Sequence, residues 1–223
     1  FLILYTHAGQ KKQISVKNHF VLPAFSSILL VRKLLFTLQN TQKKAKRKIM
    51  IYENLLQAIG NTPLVKVDFG TPANIYAKLE YLNPGGSIKD RSALYMIEYA
   101  EKNGLLKPGG TIIEASSGNQ GIASAMIGAI KGYNVIITVS EKVSKEKRDT
   151  LSAYGVKVVT CKPTLHLTDP ESYHSEALRI HKATPNSYML NQYFNLNNGE
   201  AHYSLLGPEI WKETKGTVTH ICG

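Results

Sequence analysis

The central stretch of this sequence is GTIIEASSGNQG, residues 110–121, which continues as a run of small residues to Lys131 and Gly132. Its apolar first half predicts a short buried strand and its polar second half a tight turn. The run over 122–131 predicts a helix that ends at Gly132. Backbone N–H groups at such a helix start bind carboxylates or phosphates, and glycines allow a close approach. The stretch therefore predicts an anion site at the end of a strand.

Strand and helix patterns alternate on both sides of this stretch. The predicted strands cover residues 64–67, 75–79, 110–115, 135–139, 156–161, 187–190 and 217–222, and the predicted helices cover 52–58, 89–102, 122–131, 144–154, 170–183 and 200–214. Alternation of this kind predicts right-handed βαβ units, and hence an α/β fold with a mainly parallel twisted sheet and helices on both faces. Ligands of such sheets bind at the carboxyl ends of the strands, where the turn at 116–121 falls.

A second informative stretch is NPGGSIKDR, residues 83–91. Ser87 has the position of an N-cap, and Asp90 three residues later completes a capping-box pattern, which places Lys89 in the first turn of a helix. The positive end of a helix disfavours a second positive charge, so this amine is expected to lose its proton readily and to form Schiff bases with carbonyls. The alternative from this stretch alone is a solvated lysine near a helix start, because capping boxes are common.

Four stretches, in this order along the chain, resemble motifs of the fold-type II pyridoxal phosphate (PLP) enzymes, in particular the cysteine synthase and cystathionine β-synthase family. They are IGNTPLV at 59–65, similar to the family's opening motif; residues 83–91, similar to the segment with its PLP lysine; residues 114–121, similar to its substrate-carboxylate loop; and NQY at 191–193 with His202 and Tyr203, similar to its later active-site segment. The resemblance covers residues 52–223 and implies a tryptophan synthase β-subunit-like PLP fold.

The resemblance implies that PLP is the cofactor and that Lys89 holds it. Once the amino group of serine or an activated serine displaces Lys89, the freed amine is expected to take the α-proton as general base. The β-substituent then leaves, and a thiol adds at Cβ. Asn119 is expected to hydrogen-bond the ring oxygen of the cofactor.

The resemblance also assigns the substrate-binding residues. The substrate carboxylate is held by Ser116, Ser117, Gly118 and Gln120, with help from Gln192. Tyr193 lines the second-substrate side, although Gln192 and Tyr193 can also be read as packing residues at a strand end. One departure is visible: most members have Thr where this chain has Gln120. The longer side chain is expected to narrow or re-aim the carboxylate site.

Within the family, residues 162–164, 169–173, 185–188 and 191–193 resemble cystathionine β-synthases more than plain cysteine synthases. The first alternative is a cysteine synthase (O-acetylserine sulfhydrylase) that uses O-acetylserine and sulfide. A serine or threonine dehydratase is a more distant one. From another class, the chain can be a non-catalytic remnant or a binding partner. A dinucleotide-binding fold is disfavoured because no G-x-G-x-x-G is present.

The resemblance implies a domain over 50–223 that is the N-terminal portion of an enzyme, with a movable subdomain over about 92–200. The family's glycine-rich phosphate cradle follows a strand like 217–222, and the chain ends at Gly223. The expectation is therefore an enzyme truncated at its C-terminus, and both an active and an inactive isolated chain remain open. Small-molecule amino-acid and thiol substrates and a homodimer are the expected partners.

The charge of the chain lies mostly in residues 1–49. The net charge is +11, but ten of the 27 Lys and Arg precede Met50, where there is no Asp or Glu, so 17 basic residues face 16 acidic ones from Met50 onward. Nucleic acid is therefore not an expected partner of the enzyme domain. The apolar run over 20–31 is shorter than the roughly 18 residues of a membrane anchor, so no membrane association is expected.

Three interpretations of residues 1–49 remain. They form a basic, acid-free mitochondrial presequence, although the chain starts with Phe1 rather than Met. They precede a true translation start at Met50, or they are a real basic tail. The expected location is cytoplasmic, with mitochondrial targeting as the alternative.

Further expectations concern the cysteines and histidines. Cys161 and Cys222 are predicted to be buried free thiols, and a structural zinc site is not expected because no C-x-x-C is present. His166, His174 and His181 are predicted to lie on the surface.

Overall fold

The computed structural model describes residues 51–116 and 118–223 in full and the backbone of residues 2–6. The strands are β1 (Leu2–Thr6), β2 (Leu64–Val67), β3 (Asn74–Lys78), β4 (Thr111–Ala115), β5 (Asn134–Ser140), β6 (Lys157–Cys161), β7 (Ser187–Met189) and β8 (Val218–Cys222). The α-helices are α1 (Lys89–Lys102), α2 (Asn119–Lys131), α3 (Lys145–Ala153), α4 (Tyr173–Ala183), α5 (Leu196–Ala201) and α6 (Gly207–Glu213). The predictions for residues 7–50 and for Ser117 lie outside the described residues.

The chain divides into two compact units. The first contains β1, Pro63–Leu79 and Ile210–Gly223, and the second contains Tyr52–Thr62 and Glu80–Glu209. The subdomain predicted over 92–200 falls inside the second unit, and its movement stays a prediction.

The first unit contains an antiparallel sheet with the strand order β2-β3-β1-β8. Its buried apolar cluster consists of Val65, Val67, Ala77 and Leu79. The placement of strands 64–67, 75–79 and 217–222 in one mainly parallel sheet is therefore wrong. The link between β2 and β3 is too short for the crossover of about a dozen residues that parallel strands need. The partner of β8 is β1, where no strand was predicted.

The second unit contains a four-stranded parallel sheet with the order β6-β5-β4-β7. Successive strand residues face opposite sides of a sheet. Ile112 accordingly belongs to a core built with α1, α2 and Leu151 of α3, whereas Ile113 packs with Ala177 of α4 on the other side. The predicted α/β fold, with a parallel sheet and helices on both faces, is confirmed for this unit.

The strand order of the parallel sheet creates a crevice beside β4. From β4 the chain moves outward through β5 to β6 and then returns to β7 on the opposite side of β4. The loops that leave the carboxyl ends of β4 and β7 therefore diverge, and ligands of open parallel sheets bind in the crevice at such a point. The loop after β4 begins at Ser116, and the loop after β7 contains Asn191 and Gln192.

Two predicted helices differ from the observed ones only at their starts, because α2 begins at Asn119, inside the predicted turn, and α4 begins at Tyr173. Two others differ more. The segment predicted over 52–58 forms only a 3₁₀ helix, Leu55–Ala58, capped by Asn54. The segment predicted over 200–214 begins earlier, because the side chain of Asn195 accepts a hydrogen bond from the N–H of Asn197 at the start of α5. It also contains a π-helix, His202–Leu206, between α5 and α6. Such π-turns are rare and occur often near functional sites.

Two predictions about burial are wrong. Cys161 is only partly buried and Cys222 is exposed, although both are free thiols as predicted. Cys222 is exposed because β8 lies at the edge of its sheet. His174, predicted on the surface, is buried. Its Nε2 lies 3.0 Å from Asn191 Oδ1.

Within residues 51–116 and 118–223, no helix combines the length and the apolar character that crossing a bilayer requires. The same residues contain no group of three or more His, Cys, Asp or Glu side chains placed to bind a metal ion.

Candidate functional site

Lys89 is the first residue of α1, as the sequence predicted. The Ser87 hydroxyl accepts a hydrogen bond from the Lys89 N–H at 3.1 Å. The prediction of Ser87 as the N-cap is nevertheless wrong, because Ile88 has that position and its apolar side chain makes no capping bond. The capping box itself is wrong, because the Asp90 carboxylate accepts from the N–H of Gly85. A Cβ on residue 85 would lie 2.5 Å from Asp90 Oδ1, so this close contact depends on glycine. The two contacts fold the segment tightly and hold the backbone of Lys89 at the helix start.

The buried Arg91 side chain holds the first turn of α1 in place through ion pairs. Arg91 Nε lies 2.7 Å from Glu80 Oε2, and its Nη1 lies 2.7 Å from Glu209 Oε2. Its Nη2 also donates to Glu80 Oε1 at 2.8 Å, so the guanidinium holds Glu80 with two parallel bonds. Burial alone would raise the pKa of Glu80, but the hydrogen bonds from Arg91 and Thr62 outweigh it and lower that pKa. The pair is therefore fully ionised at neutral pH.

The same network holds the segment that resembles the family's opening motif. The N–H of Gly60 donates to Asn83 Oδ1 at 2.8 Å, and the N–H of Asn61 donates to Glu209 Oε2 at 3.1 Å. Residues 60–61 are thus tied both to the start of the lysine segment and to α6.

A cavity of about 320 Å³ lies at the carboxyl edge of the parallel sheet. It is lined by Ile88, Lys89, Ser116, Gly118, Asn119, Gln120, Tyr173, Gln192 and Tyr193. Every predicted site residue that the structure describes is therefore in the wall of one cavity. Small-molecule sites have volumes of about 300–1,000 Å³, so this cavity suits a small ligand.

The turn between β4 and α2 forms one wall. Gly118 is the N-cap of α2, and its N–H donates to the Ser116 hydroxyl at 3.3 Å. A Cβ on Gly121 would lie 2.5 Å from the backbone oxygen of Ser116, so the turn closes only because residue 121 is glycine. The first turn of α2 offers N–H groups and the positive end of the helix dipole, which suits a carboxylate or a phosphate.

Substitution of Gly121 by alanine is expected to open this turn. The methyl group meets backbone rather than a movable side chain, so we expect a loss of roughly 1–3 kcal/mol in the free energy of unfolding and weaker binding of amino-acid carboxylates. Urea unfolding and ligand titration measure the two effects. Gly199→Ala is the control, because a Cβ there meets no atom within 4 Å. Equal stability of the two variants would contradict the steric argument.

The loop after β7 forms the opposite wall, and side chains hold it in place. Asn191 has a φ of 51°, in the left-handed region that asparagine tolerates better than most residues. His174 bonds the Asn191 amide, and Asn195 Nδ2 donates to the Leu190 oxygen at 2.9 Å. The loop is therefore turned at Asn191, and the next residue, Gln192, reaches the cavity.

Sequence reasoning missed Tyr173 as a cavity residue. The Ser172 hydroxyl caps α4 by accepting a hydrogen bond from the Ser175 N–H at 3.0 Å. The backbone oxygen of Tyr173 accepts a hydrogen bond from Thr138 Oγ1 of β5 at 2.7 Å. Burial, together with the neighbouring Tyr193, raises the pKa of Tyr173 to about 12, so its hydroxyl keeps its proton. The available signal was Ser172, which marks a helix start at the carboxyl edge of the sheet.

A second unassigned group is His202, in the π-helix. Burial, and then the positive charges of Lys89 and Arg91, lower the pKa of His202. Its Nδ1 is buried, with no hydrogen-bond partner among the described residues. At neutral pH the chain thus places a neutral imidazole near Lys89.

Glu114 of β4 is a buried carboxyl two residues before Ser116. Burial raises the pKa of Glu114 to about 8, and the nearby N–H groups of Asn191 and Gln192 oppose this only in part. Neither oxygen has a hydrogen bond of ordinary geometry within the described part of the chain. Glu114 is therefore mainly protonated at neutral pH.

The Glu114 carboxyl gives a testable dependence of stability on pH. Between its ordinary pKa of 4.5 and its folded value of about 8, the folded chain holds a proton that the unfolded chain has released. The free energy of unfolding therefore falls as pH rises through this window and levels off above it. At ~1.4 kcal/mol per pKa unit, the loss amounts to a few kcal/mol.

Glu114→Gln is expected to remove this slope and to be the more stable protein at pH 8.5. Urea unfolding at several pH values measures both proteins. Their difference isolates Glu114 from other groups such as Asp90, whose pKa burial raises to about 6. Parallel curves for the two proteins would show that Glu114 is already ionised in the folded chain.

Comparison with known proteins gives one family. Residues 55–223 match the family described as "Pyridoxal-phosphate dependent enzyme". The chain is 47% identical over 176 residues to the cystathionine beta-synthase of Apis mellifera, covering 77% of this chain and 35% of that protein. It is 44% identical over 169 residues to cysteine synthase B of Salmonella typhimurium, covering 74% of this chain and 54% of that protein.

One solved structure is also similar, that of a hydrogen sulfide-producing enzyme from Fusobacterium nucleatum. Its TM-score is 0.67 at 38% identity, and the match covers 75% of this chain and 55% of that one. The chain spans about a third of the length of the cystathionine β-synthases that it matches, and about half of the cysteine synthases.

Proposed function

Because the chain belongs to the family of pyridoxal-phosphate dependent enzymes, we propose that it serves β-replacement on L-serine or an activated serine with a thiol, in the manner of a cystathionine β-synthase. The observation that carries this proposal is the shared cavity. It brings Lys89, the first turn of α2 and Gln192 together at the carboxyl edge of one sheet.

The residues present fit the cofactor of the family. Lys89 supplies an amine for the cofactor aldehyde, and Asn119 supplies an amide for its ring oxygen. A Cβ at position 121 would lie 2.5 Å from the backbone oxygen of Ser116. The glycine there therefore allows the anion-binding turn to stay tight. When bound, PLP supplies an electron sink that absorbs the negative charge left at Cα.

The residues of the chain divide the remaining work. Ser116 and the start of α2 bind the substrate carboxylate, and Gln192 orients it from the opposite wall. Lys89, once released by the substrate amino group, takes the α-proton as general base. The protonated Tyr173 hydroxyl and Tyr193 line the side from which the thiol enters.

A cysteine synthase activity on O-acetylserine and sulfide is the second candidate. The 44% identity to a cysteine synthase B is close to the 47% identity to a cystathionine β-synthase, and the share of the relative covered is larger. The two activities differ in both substrates, so a direct assay separates them.

The test is a steady-state assay of the PLP-loaded chain with serine plus homocysteine and with O-acetylserine plus sulfide. Faster cystathionine formation with the first pair is the expected result. Turnover of the second pair alone would establish the cysteine synthase. Absence of both, with no PLP bound, would overturn the proposal for this chain.

We propose further that the chain acts as a homodimer in the cytoplasm. Leu196 is 89% exposed and Tyr203 80% exposed on one continuous helical run, which supports an interface between copies. The free thiols Cys161 and Cys222 support a reducing compartment. Analytical ultracentrifugation tests the first statement and cell fractionation the second.

A further inference from the structure

Gln120, the residue that departs from the family pattern, reaches across to α1. The Ser92 hydroxyl oxygen lies 3.2 Å from Gln120 Oε1 and 3.2 Å from the backbone oxygen of Lys89. Ser92 is fully buried and Gln120 is 1% exposed. The two side chains therefore meet in the interior between α1 and α2.

The orientation of the Gln120 amide follows from the number of protons. A serine hydroxyl has one proton and cannot donate to both the Gln120 and the Lys89 oxygens. With the amide as placed, the buried Gln120 Nε2 has no partner within the described residues, which is costly for a donor. The oxygen and nitrogen of such an amide are assigned from the surrounding hydrogen bonds, and a half-turn exchanges them.

The exchanged orientation gives each proton a partner. Gln120 Nε2 then donates to Ser92 Oγ, and Ser92 donates to the Lys89 oxygen. The result is a chain of two hydrogen bonds from the anion-binding turn at the start of α2 to the backbone of Lys89. The buried atom left over is a carbonyl oxygen.

We propose that Gln120 is a positioning residue rather than a substrate ligand: through Ser92, its amide fixes the backbone of Lys89 relative to the turn that binds the carboxylate. The side chain of Gln120 is engaged with α1, so residue 120 offers the substrate its backbone N–H only. The inference rests on the proposed function for its ligand measurements, but the bridge itself is a property of the folded chain.

The test uses the full chain with Ser92→Ala, Gln120→Ala and the double variant. Ser124→Ala is the matched control, because Ser124 is also buried but its hydroxyl bonds the backbone oxygen of Gln120, at 2.7 Å, rather than the side-chain amide. The first measurement is the serine dissociation constant of the PLP-loaded protein. The second is the pH profile of PLP attachment to Lys89, trapped by borohydride and quantified by mass spectrometry. The third is urea unfolding.

Ser92→Ala and Gln120→Ala are each expected to raise the dissociation constant for serine roughly five- to tenfold. Both variants are also expected to shift the pH profile of PLP attachment to Lys89, and the direction of the shift is the same for the two. The double variant is expected to be no worse than either single one, because both remove the same bridge. Ser124→Ala is expected to keep the wild-type profile. A purely structural role would lower stability without moving that profile.

Besides a loss of stability with an unchanged pH profile, two results would overturn the proposal. If Gln120→Ala weakens serine binding and Ser92→Ala does not, Gln120 is a direct ligand. If the losses of the two single variants add in the double variant, no bridge exists. Failure of the proposed function looks different: wild type itself then shows no PLP adduct at Lys89. In that case urea unfolding of wild type, the two single variants and the double variant still shows whether the bridge exists, because the coupling between Ser92 and Gln120 needs no ligand.

Discussion

Lys89→Ala is expected to abolish covalent attachment of PLP and to lower turnover at least ~10²–10⁴-fold, the usual contribution of a positioned proton-transfer group. The variant removes both the amine that links the cofactor and the base that takes the α-proton. The readouts are the absorption spectrum with added PLP, its response to serine, and the mass of the borohydride-trapped peptide. Wild type is expected to carry the adduct on the peptide that contains Lys89.

Lys102→Ala is the matched control for this variant. Lys102 lies in the last turn of α1 and is exposed, so its loss is expected to leave the spectrum and the adduct unchanged. An adduct of equal yield in Lys89→Ala, on any other lysine, would contradict the assignment of Lys89. Unfolding curves of the two variants show whether either change disturbs the fold.

Arg91→Ala is expected to cost about 3–5 kcal/mol in the free energy of unfolding, as breaking a buried ion pair does. The variant leaves Glu80, 5% exposed, without the guanidinium that bonds both of its oxygens. It also removes two hydrogen bonds to Glu209. Since Arg91 keeps the pKa of Glu80 low, the variant is expected to gain stability, relative to its own value at neutral pH, on mild acidification, where Glu80 takes up a proton.

The control for this prediction is Arg179→Ala. Arg179 also pairs with a glutamate, Glu176, but its side chain is 77% exposed. Solvent-exposed ion pairs contribute little to the free energy of unfolding, so the unfolding midpoint of this variant is expected to stay at the wild-type value. If the two arginine variants lose the same free energy of unfolding, burial is not the reason that the Arg91 ion pairs stabilise the fold.

The parts of the fold and the site that the sequence predicted depend on local signals. The turn between β4 and α2 is fixed by glycines, and a Cβ at Gly121 would collide with the oxygen of Ser116. Lys89 is placed by Ser87, two residues away. Because β4 and β7 are parallel neighbours, the loops after them meet at the same edge. The predicted site residues that the structure describes accordingly line one cavity, while their roles stay predictions.

The failures concern partners that are distant in the sequence or that compete locally. The pairing of β8 with β1 joins the two ends of the chain, and no periodicity within β8 encodes it. Asp90 bonds Gly85 instead of forming a capping box, since the absent side chain of Gly85 leaves room for the carboxylate. Tyr173 lines the cavity only because α4 returns across β5. Tertiary structure determines the first and the last of these contacts, and local competition determines the contact of Asp90 with Gly85.

The π-helix His202–Leu206 lets the chain lose one residue without moving the helix that follows. Its hydrogen bonds run from residue i to residue i+5, so its five residues cover about the same rotation as four residues of an α-helix. Loss of one residue in this run would therefore give an ordinary α-turn and leave Glu209 facing Arg91 and the N–H of Asn61. Loss of a residue between this run and Glu209 would instead turn Glu209 by about 100° and break both contacts. Among functional members of this family, a one-residue difference in length should therefore fall within the π-helix.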